Sequence, residues 1–280
     1  MLATATATAA ANAAENPVVP AGRYRAAGVL RSEWTKFRSI RSTTLTIAAL
    51  LGVTILIGAL TSVSEASSWA SLSPARRAGF DPTSFSLNGL LFGQLAVGVL
   101  GALVMSSEYA TGMIRSTLAA VPNRRLVLGA KAAVLAAVVL VVGEVVSFSS
   151  FFLGQAILSG SAPSAGIGDP GVLQAVVGGG LYLGVLALLG LGIATIVRHT
   201  AGAISSFVGI VLIAPLIVQA LPSSVGDTVG KYLPVNIGHA LTSVQTPAHD
   251  FSPWVGLGLL CAYAATAMAV GAWLMVRRDA

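Results

Sequence analysis

Six long apolar runs, separated by short polar segments, set the pattern of this chain. They cover about 43–63, 87–106, 126–158, 172–197, 201–221 and 254–276. Each is near or above the roughly 20 residues an α-helix needs to cross a hydrocarbon core of about 30 Å. The pattern therefore predicts an all-α integral membrane protein with six transmembrane helices. The third and fourth runs are longer than required, which predicts tilt, extension beyond the bilayer, or a kink at Gly178-Gly179-Gly180. Residues 64–86 and 159–171 are rich in Ser, Pro and Gly and read as turns. Residues 222–253 alternate apolar patches with breakers, and predict short re-entrant helices that dip back into the outer leaflet before the sixth span.

Two polar segments carry their own patterns. In residues 24–41, Ala26, Leu30, Trp34 and Phe37 recur at helical spacing while Arg31, Thr35, Lys36 and Arg38 lie off that stripe. This predicts an N-terminal amphipathic interfacial helix, its aromatic side in the acyl boundary and its basic side towards anionic headgroups; a merely basic flank of the first span is the plainer alternative. Residues 106–131 interrupt the second and third runs, with Glu108 first, Arg115 midway, Pro122 and Asn123 breaking the segment, and Arg124, Arg125 and Lys131 closing it. A helix from about Tyr109 to Ala120, turned at Val121-Pro122-Asn123, would project from the membrane towards a soluble partner. Residues 1–22, rich in Ala and Thr and without a signal-peptide core, read as a disordered cytoplasmic tail, and 23–280 as one six-span transmembrane domain.

Composition agrees with the pattern. Of 280 residues, 55% are hydrophobic and 9% charged, where an ordinary soluble domain has about a quarter charged. The net charge of +6 would suit nucleic acid, but its distribution does not. With both termini cytoplasmic, only Arg76, Arg77 and Lys231 of the 16 Lys and Arg fall outside, so the positive-inside rule accounts for the surplus and no nucleic-acid partner is expected. The lone Cys261 excludes an intrachain disulfide.

Little in the chain suggests chemistry of its own. The stretch from Gly226 to Tyr232 departs from a phosphate loop in its spacing, its terminal Tyr and the Pro234 after it, so no nucleotide site is expected. His199, His239 and His249 have no ligand-spaced carboxylates, and no metal is expected. Glu144 is the one carboxylate deep inside a run; it either lines a pathway or is hydrogen-bonded to a neighbouring helix through Gln94, Gln155 or Gln174. Gly180 and Gly184 have the spacing of a small-residue helix contact, a pattern too common in a chain with 31 glycines to decide anything.

The run Leu30-Arg31-Ser32-Glu33-Trp34-Thr35-Lys36, the six spans, Glu108-Tyr109-Ala110-Thr111-Gly112-Met113-Ile114-Arg115 followed by Pro122, Arg125 and Lys131, and the broken outer loop together resemble the ABC type-2 permease family, the membrane subunits of ATP-binding-cassette exporters. The resemblance implies that two such permeases, as a homodimer or a pair of related chains, work with two copies of a separate ATPase subunit that binds ATP and Mg; this chain would bind no cofactor and be no enzyme itself. It implies a cytoplasmic coupling helix between spans 2 and 3 (Glu108, Tyr109, Thr111, Gly112, Arg115, Arg124, Arg125) and an interfacial connecting helix against membrane lipids (Leu30, Arg31, Trp34, Lys36, Phe37, Arg38). Spans 2 and 5 would line the route, placing Gln94, Phe207 and Gln219 beside it with Glu144 as a further candidate. Their apolar character suits export of hydrophobic or amphipathic small molecules or lipids. The expected location is a bacterial cell membrane, multi-pass. The alternative is an ion-gradient-driven secondary transporter or channel using Glu144.

Overall fold

The computed structural model describes residues 25–245 and 250–278. The expected tail over 1–22, as well as His249, lies outside the described residues. The chain enters through α1 (Ala26–Ser39) and turns at the extended Ile40 into α2 (Arg41–Ser68). Residues 64–86, read as turns, instead carry two short helices, α3 (Pro74–Ala78) and α4 (Pro82–Leu87). Each starts with a proline in its first turn and a side-chain cap: Ser73 accepts from the Arg76 N–H, and Asp81 from those of Thr83 and Ser84.

The helix expected from about Tyr109 to Ala120 is not one piece, because α5 (Leu90–Ala110) takes its first two residues. It breaks at Gly112, whose φ of 71° is left-handed, and resumes as α6 (Met113–Ala120). Asn123 then caps α7 (Arg124–Leu158), its side chain accepting from the Leu126 N–H at 3.1 Å. Next come α8 (Val172–Val197) and α9 (Thr200–Val208). A π-helical turn over Gly209–Ile213 leads into α10 (Ala214–Gln219). Pro215 explains that turn, since it lacks an N–H and would press on the carbonyl four residues earlier; widening the turn makes room. The short α11 (Ser223–Gly230) and α12 (Pro234–Thr242) precede α13 (Pro253–Arg277).

Among the described residues, six helical stretches are long and apolar enough to cross a membrane: Arg41–Ser71, Pro82–Ala110, Arg124–Leu158, Val172–Val197, Thr200–Gln219 and Pro253–Arg277. The most enclosed is α8, with 72% of its most apolar window buried against 22% for the first, fifth and sixth stretches. It packs on α5, α7 and α13, and so forms the axis of the bundle.

Close approach to α8 is made by glycine. A Cβ at Gly101 would strike the carbonyl of Ala187, and one at Gly190 the carbonyl of Gly98, so α5 and α8 touch backbone to backbone. The helix α8 is uninterrupted through Gly178-Gly179-Gly180. These three glycines make three separate slots: Gly178 faces Leu241 of α12, Gly179 faces Leu90 and Ser147, and Gly180 faces Glu144. Ser147 fastens the second slot by donating to the Val176 carbonyl at 2.6 Å.

Adding a methyl at these contacts should therefore cost more than helix propensity returns. Gly190→Ala is expected to destabilise the protein by about 1–3 kcal/mol, as overpacking does. Gly129→Ala, with no neighbour within 4 Å, should be neutral or gain up to about 1 kcal/mol. Thermal midpoints of the two purified variants check this; equal midpoints would contradict the packing account.

Candidate functional site

Val29, Glu33 and Phe37 lie four residues apart and so share one face of α1, the face buried against the rest of the chain. A carboxylate in the middle of such a row is costly unless paired and hydrogen-bonded. Glu33 meets two ammonium groups. Lys36 Nζ donates to its Oε1 at 2.8 Å, and Lys131 Nζ, arriving from α7, donates to its Oε2 at 2.7 Å. Both lysines also reach Glu108 near the end of α5, donating to its Oε1 at 2.9 Å and 2.7 Å respectively. The third N–H of Lys36 goes to Thr117 Oγ1 of α6 at 3.1 Å.

Two positive and two negative charges thus close a neutral ring that joins α1, α5, α6 and α7. Glu33, Glu108 and Lys131 are almost wholly buried. Burial opposes a charge on Lys36, but its hydrogen bonds to Glu33 and Glu108 and their negative field outweigh it, holding its ammonium above the ordinary 10.5. Among the described residues, the ring leaves Glu108 Oε2 buried with no hydrogen-bond donor.

The ring fixes how α6 is presented. Ile114 is buried and Leu118 packs on the core, while Met113, Arg115 and Ser116 face outwards. Arg125, just beyond, is also exposed. Arg124 is used differently from the partner contact expected of it. Its guanidinium donates to the carbonyl of Met275 and, at 2.9 Å, to that of Arg278, at the end of α13. Arg198, in the left-handed conformation with φ 59°, donates to the Leu274 carbonyl at 3.1 Å and lies over the Tyr109 ring. Two cations therefore occupy the C-terminal carbonyls of α13, where a helix end favours them.

The stripe expected on α1 is also differently placed. Leu30 and Trp34 are exposed with Arg31 and Arg38, but Phe37 is buried in the core, and Lys36 turns inwards to the ring rather than to headgroups. The reason is Glu33, which needs the lysine more than water does. Thr111 and Gly112 are exposed, and Tyr109 is half-buried beneath Arg198.

The residues expected beside a route do not come together. Gln94 is buried and accepts a hydrogen bond from the Tyr182 hydroxyl. Phe207 is fully buried against Gly98. Both belong to the chain's own interior, and only Gln219 of the span residues named is exposed. Glu144 packs on Gly180 with its Oε2 unpartnered, and none of the three glutamines weighed as its partner binds it: Gln94 is held by Tyr182, and Gln155 is bonded to Pro82, Ser86 and Ala165. Three residues of the ring and its surroundings escaped the sequence reading as site members: Glu33, Lys131 and Thr117. A charge at the centre of the Val29, Glu33, Phe37 row, and another among Val127, Leu128, Val134 and Leu135, was the available signal.

A family model described as ABC-2 family transporter protein matches residues 29–217, more than half of the chain and all of the ring. No curated protein matches it.

Removing one member of the ring strands a buried charge. Lys131→Met should cost about 3–5 kcal/mol, and combining it with Glu33→Leu, which restores neutrality, should recover part of that loss. Thermal unfolding of the two variants measures it, and no recovery in the double variant would contradict a coupled ring. Because the folded value of Lys36 is raised, its stabilisation is present below 10.5 and is lost as pH rises through that higher value. Lys36→Met should accordingly show less alkaline loss of thermal midpoint than the parent protein.

Proposed function

The chain belongs to the ABC-2 transporter family, and we propose that it is the permease subunit of an exporter for hydrophobic or amphipathic small molecules or lipids, driven by ATP hydrolysis in a separate ATPase subunit. The observation that carries this reading is the two-sidedness of α6. One side is tied to the chain through Ile114, Leu118 and the Thr117–Lys36 hydrogen bond, while the other presents Met113, Arg115 and Ser116 to the outside. A short helix held in this way transmits a push from a docked ATPase to α1, α5 and α7 together. The end of the bundle bearing α6 then faces the cytoplasm, and the active unit contains two permeases and two ATPases.

The cargo class follows from the span surfaces. Ile210, Ile213, Leu216 and Ile217 of the fifth span and Leu91 and Phe92 of the second are exposed and apolar. A second copy, or a related permease, covering such faces would enclose a route with few polar partners, which disfavours sugars and ions. A second reading, ion coupling through Glu144, draws on its unpartnered Oε2 within a span.

Arg115→Glu separates docking from folding because Arg115 is exposed. The variant should insert and fold normally but bind the ATPase at least about tenfold more weakly, since reversing an interface charge costs a few kcal/mol. Co-purification yield and cargo-stimulated ATPase activity in proteoliposomes report the loss; unchanged values for both would remove the docking assignment. Glu144→Gln should leave transport of apolar compounds intact, and a transport loss that tracks an imposed proton gradient would favour the second reading instead.

A further inference from the structure

Beside the charge ring lies a groove that shares only Met113, at its rim, with the docking face of α6. It is a cavity of about 90 Å³ walled by α1, α2, α5, α6 and α7, with Phe37, Leu100, Leu103, Val104 and Val134 giving it an apolar body. Its inner end is the ring itself, Glu33, Lys36, Glu108 and Lys131. Ile40 and Met113, both about two-fifths exposed, stand at its rim.

Two hydrogen-bonding capacities remain unspent at the inner end. Glu108 Oε2 is buried and receives no hydrogen bond from the described residues. Lys131 Nζ uses two of its three N–H groups, on Glu33 and on Glu108 Oε1. Lys36 has none to spare, since its three go to Glu33, Glu108 and Thr117. The four charges already cancel, so an ionic head of either sign would leave an uncompensated charge in a buried site. A hydroxyl meets both needs at once: its O–H donates to Glu108 Oε2 and its oxygen accepts from Lys131.

We propose that this groove is a binding site for a neutral, hydroxyl-bearing amphiphile taken from the adjoining lipid leaflet. The hydroxyl sits on Glu108 and Lys131, and the hydrocarbon lies along Leu100, Leu103, Val104 and Val134. At about 10–15 Å³ of such space for each water-sized group, the cavity takes the head and several carbons, and the rest of the tail passes out over Ile40 and Met113. Occupancy completes the hydrogen bonding of Glu108 next to the residue that holds α6. The site goes beyond the transport reading and does not depend on an ATPase being bound.

The test uses the full chain in phosphatidylcholine nanodiscs with Cys261→Ser, so that an introduced cysteine is the sole thiol. Alkylation of Val104→Cys by N-ethylmaleimide should slow about fivefold when 1-monooleoylglycerol reaches about four times its Kd, as occupancy of a single site gives. Leu103→Cys serves as a second reporter should the first variant fold poorly. Methyl oleate, with the same chain but no hydroxyl, should not protect, nor should oleate or oleylamine, and Val141→Cys on the exposed side of α7 should react at one rate throughout. Equal protection by methyl oleate would reduce the groove to an apolar cleft and overturn the assignment. Protection by either charged amphiphile would overturn neutrality of the head, and no protection by any probe would overturn the site.

Discussion

Charged carboxylates buried between helices are costly unless paired, and much of one end of this molecule follows from how Glu33 and Glu108 are answered. Taking charges out of water costs several kcal/mol for each ion even after relaxation. The ring of Glu33, Lys36, Glu108 and Lys131 is therefore favourable only when all four side chains are present in one geometry. Each comes with its own helix geometry attached, so α1, α5 and α7 take their mutual positions together or not at all. Through Thr117 the same condition extends to α6. A displacement of α6 cannot be absorbed locally, because there is no partially formed ring of comparable energy for it to relax into.

The opposite end is built on a different economy. There the tie is Asp81, whose Oδ1 caps α4 while its Oδ2 accepts from the Val244 N–H at 2.7 Å. Gln155 makes a comparable bridge, donating to Pro82 and Ser86 and accepting from Ala165. These are single side chains joining backbone segments, and each can loosen without stranding a second charge. Between the two ends runs the close glycine contact of α5 with α8. The molecule thus combines an all-or-none end, a rigid axis and an end whose links are separable.

How much of this was legible in the sequence depended on the range of the interaction. Span positions were readable because hydrophobic length is a local property, and the six membrane-length stretches overlap the six apolar runs. Proline and glycine were readable as breaks but not always as the right kind. Gly112 supplies a left-handed residue between helices, whereas Gly178 to Gly180 admit three neighbours that only the folded chain brings near. Sidedness was the least legible. Lys36 and Arg124 look like any other basic residue of a polar flank, and their burial or capping role is completed by Glu108 and by the end of α13 respectively, both distant in sequence. Gln94 and Phe207 were misplaced for the same reason: polarity or size in a span does not tell which side faces a neighbour, and Tyr182 and Gly98 decide it.

The π-helical turn at Gly209–Ile213 changes how the fifth span must be read along its length. A turn closed by one extra residue rotates everything beyond it by about 100° relative to an unbroken α-helix. Ile204 and Phe207 before the turn and Leu216 and Ile217 after it therefore do not lie on the stripe that a uniform 3.6-residue repeat would assign them. The two halves of the span address different surroundings, as though a residue had been inserted in mid-membrane and kept. A single deletion there would restore regular winding, yet it would also swing Gln219 and the loop beyond it round the helix, so the irregularity acts as a phase setting for the end of the span that leads into α11.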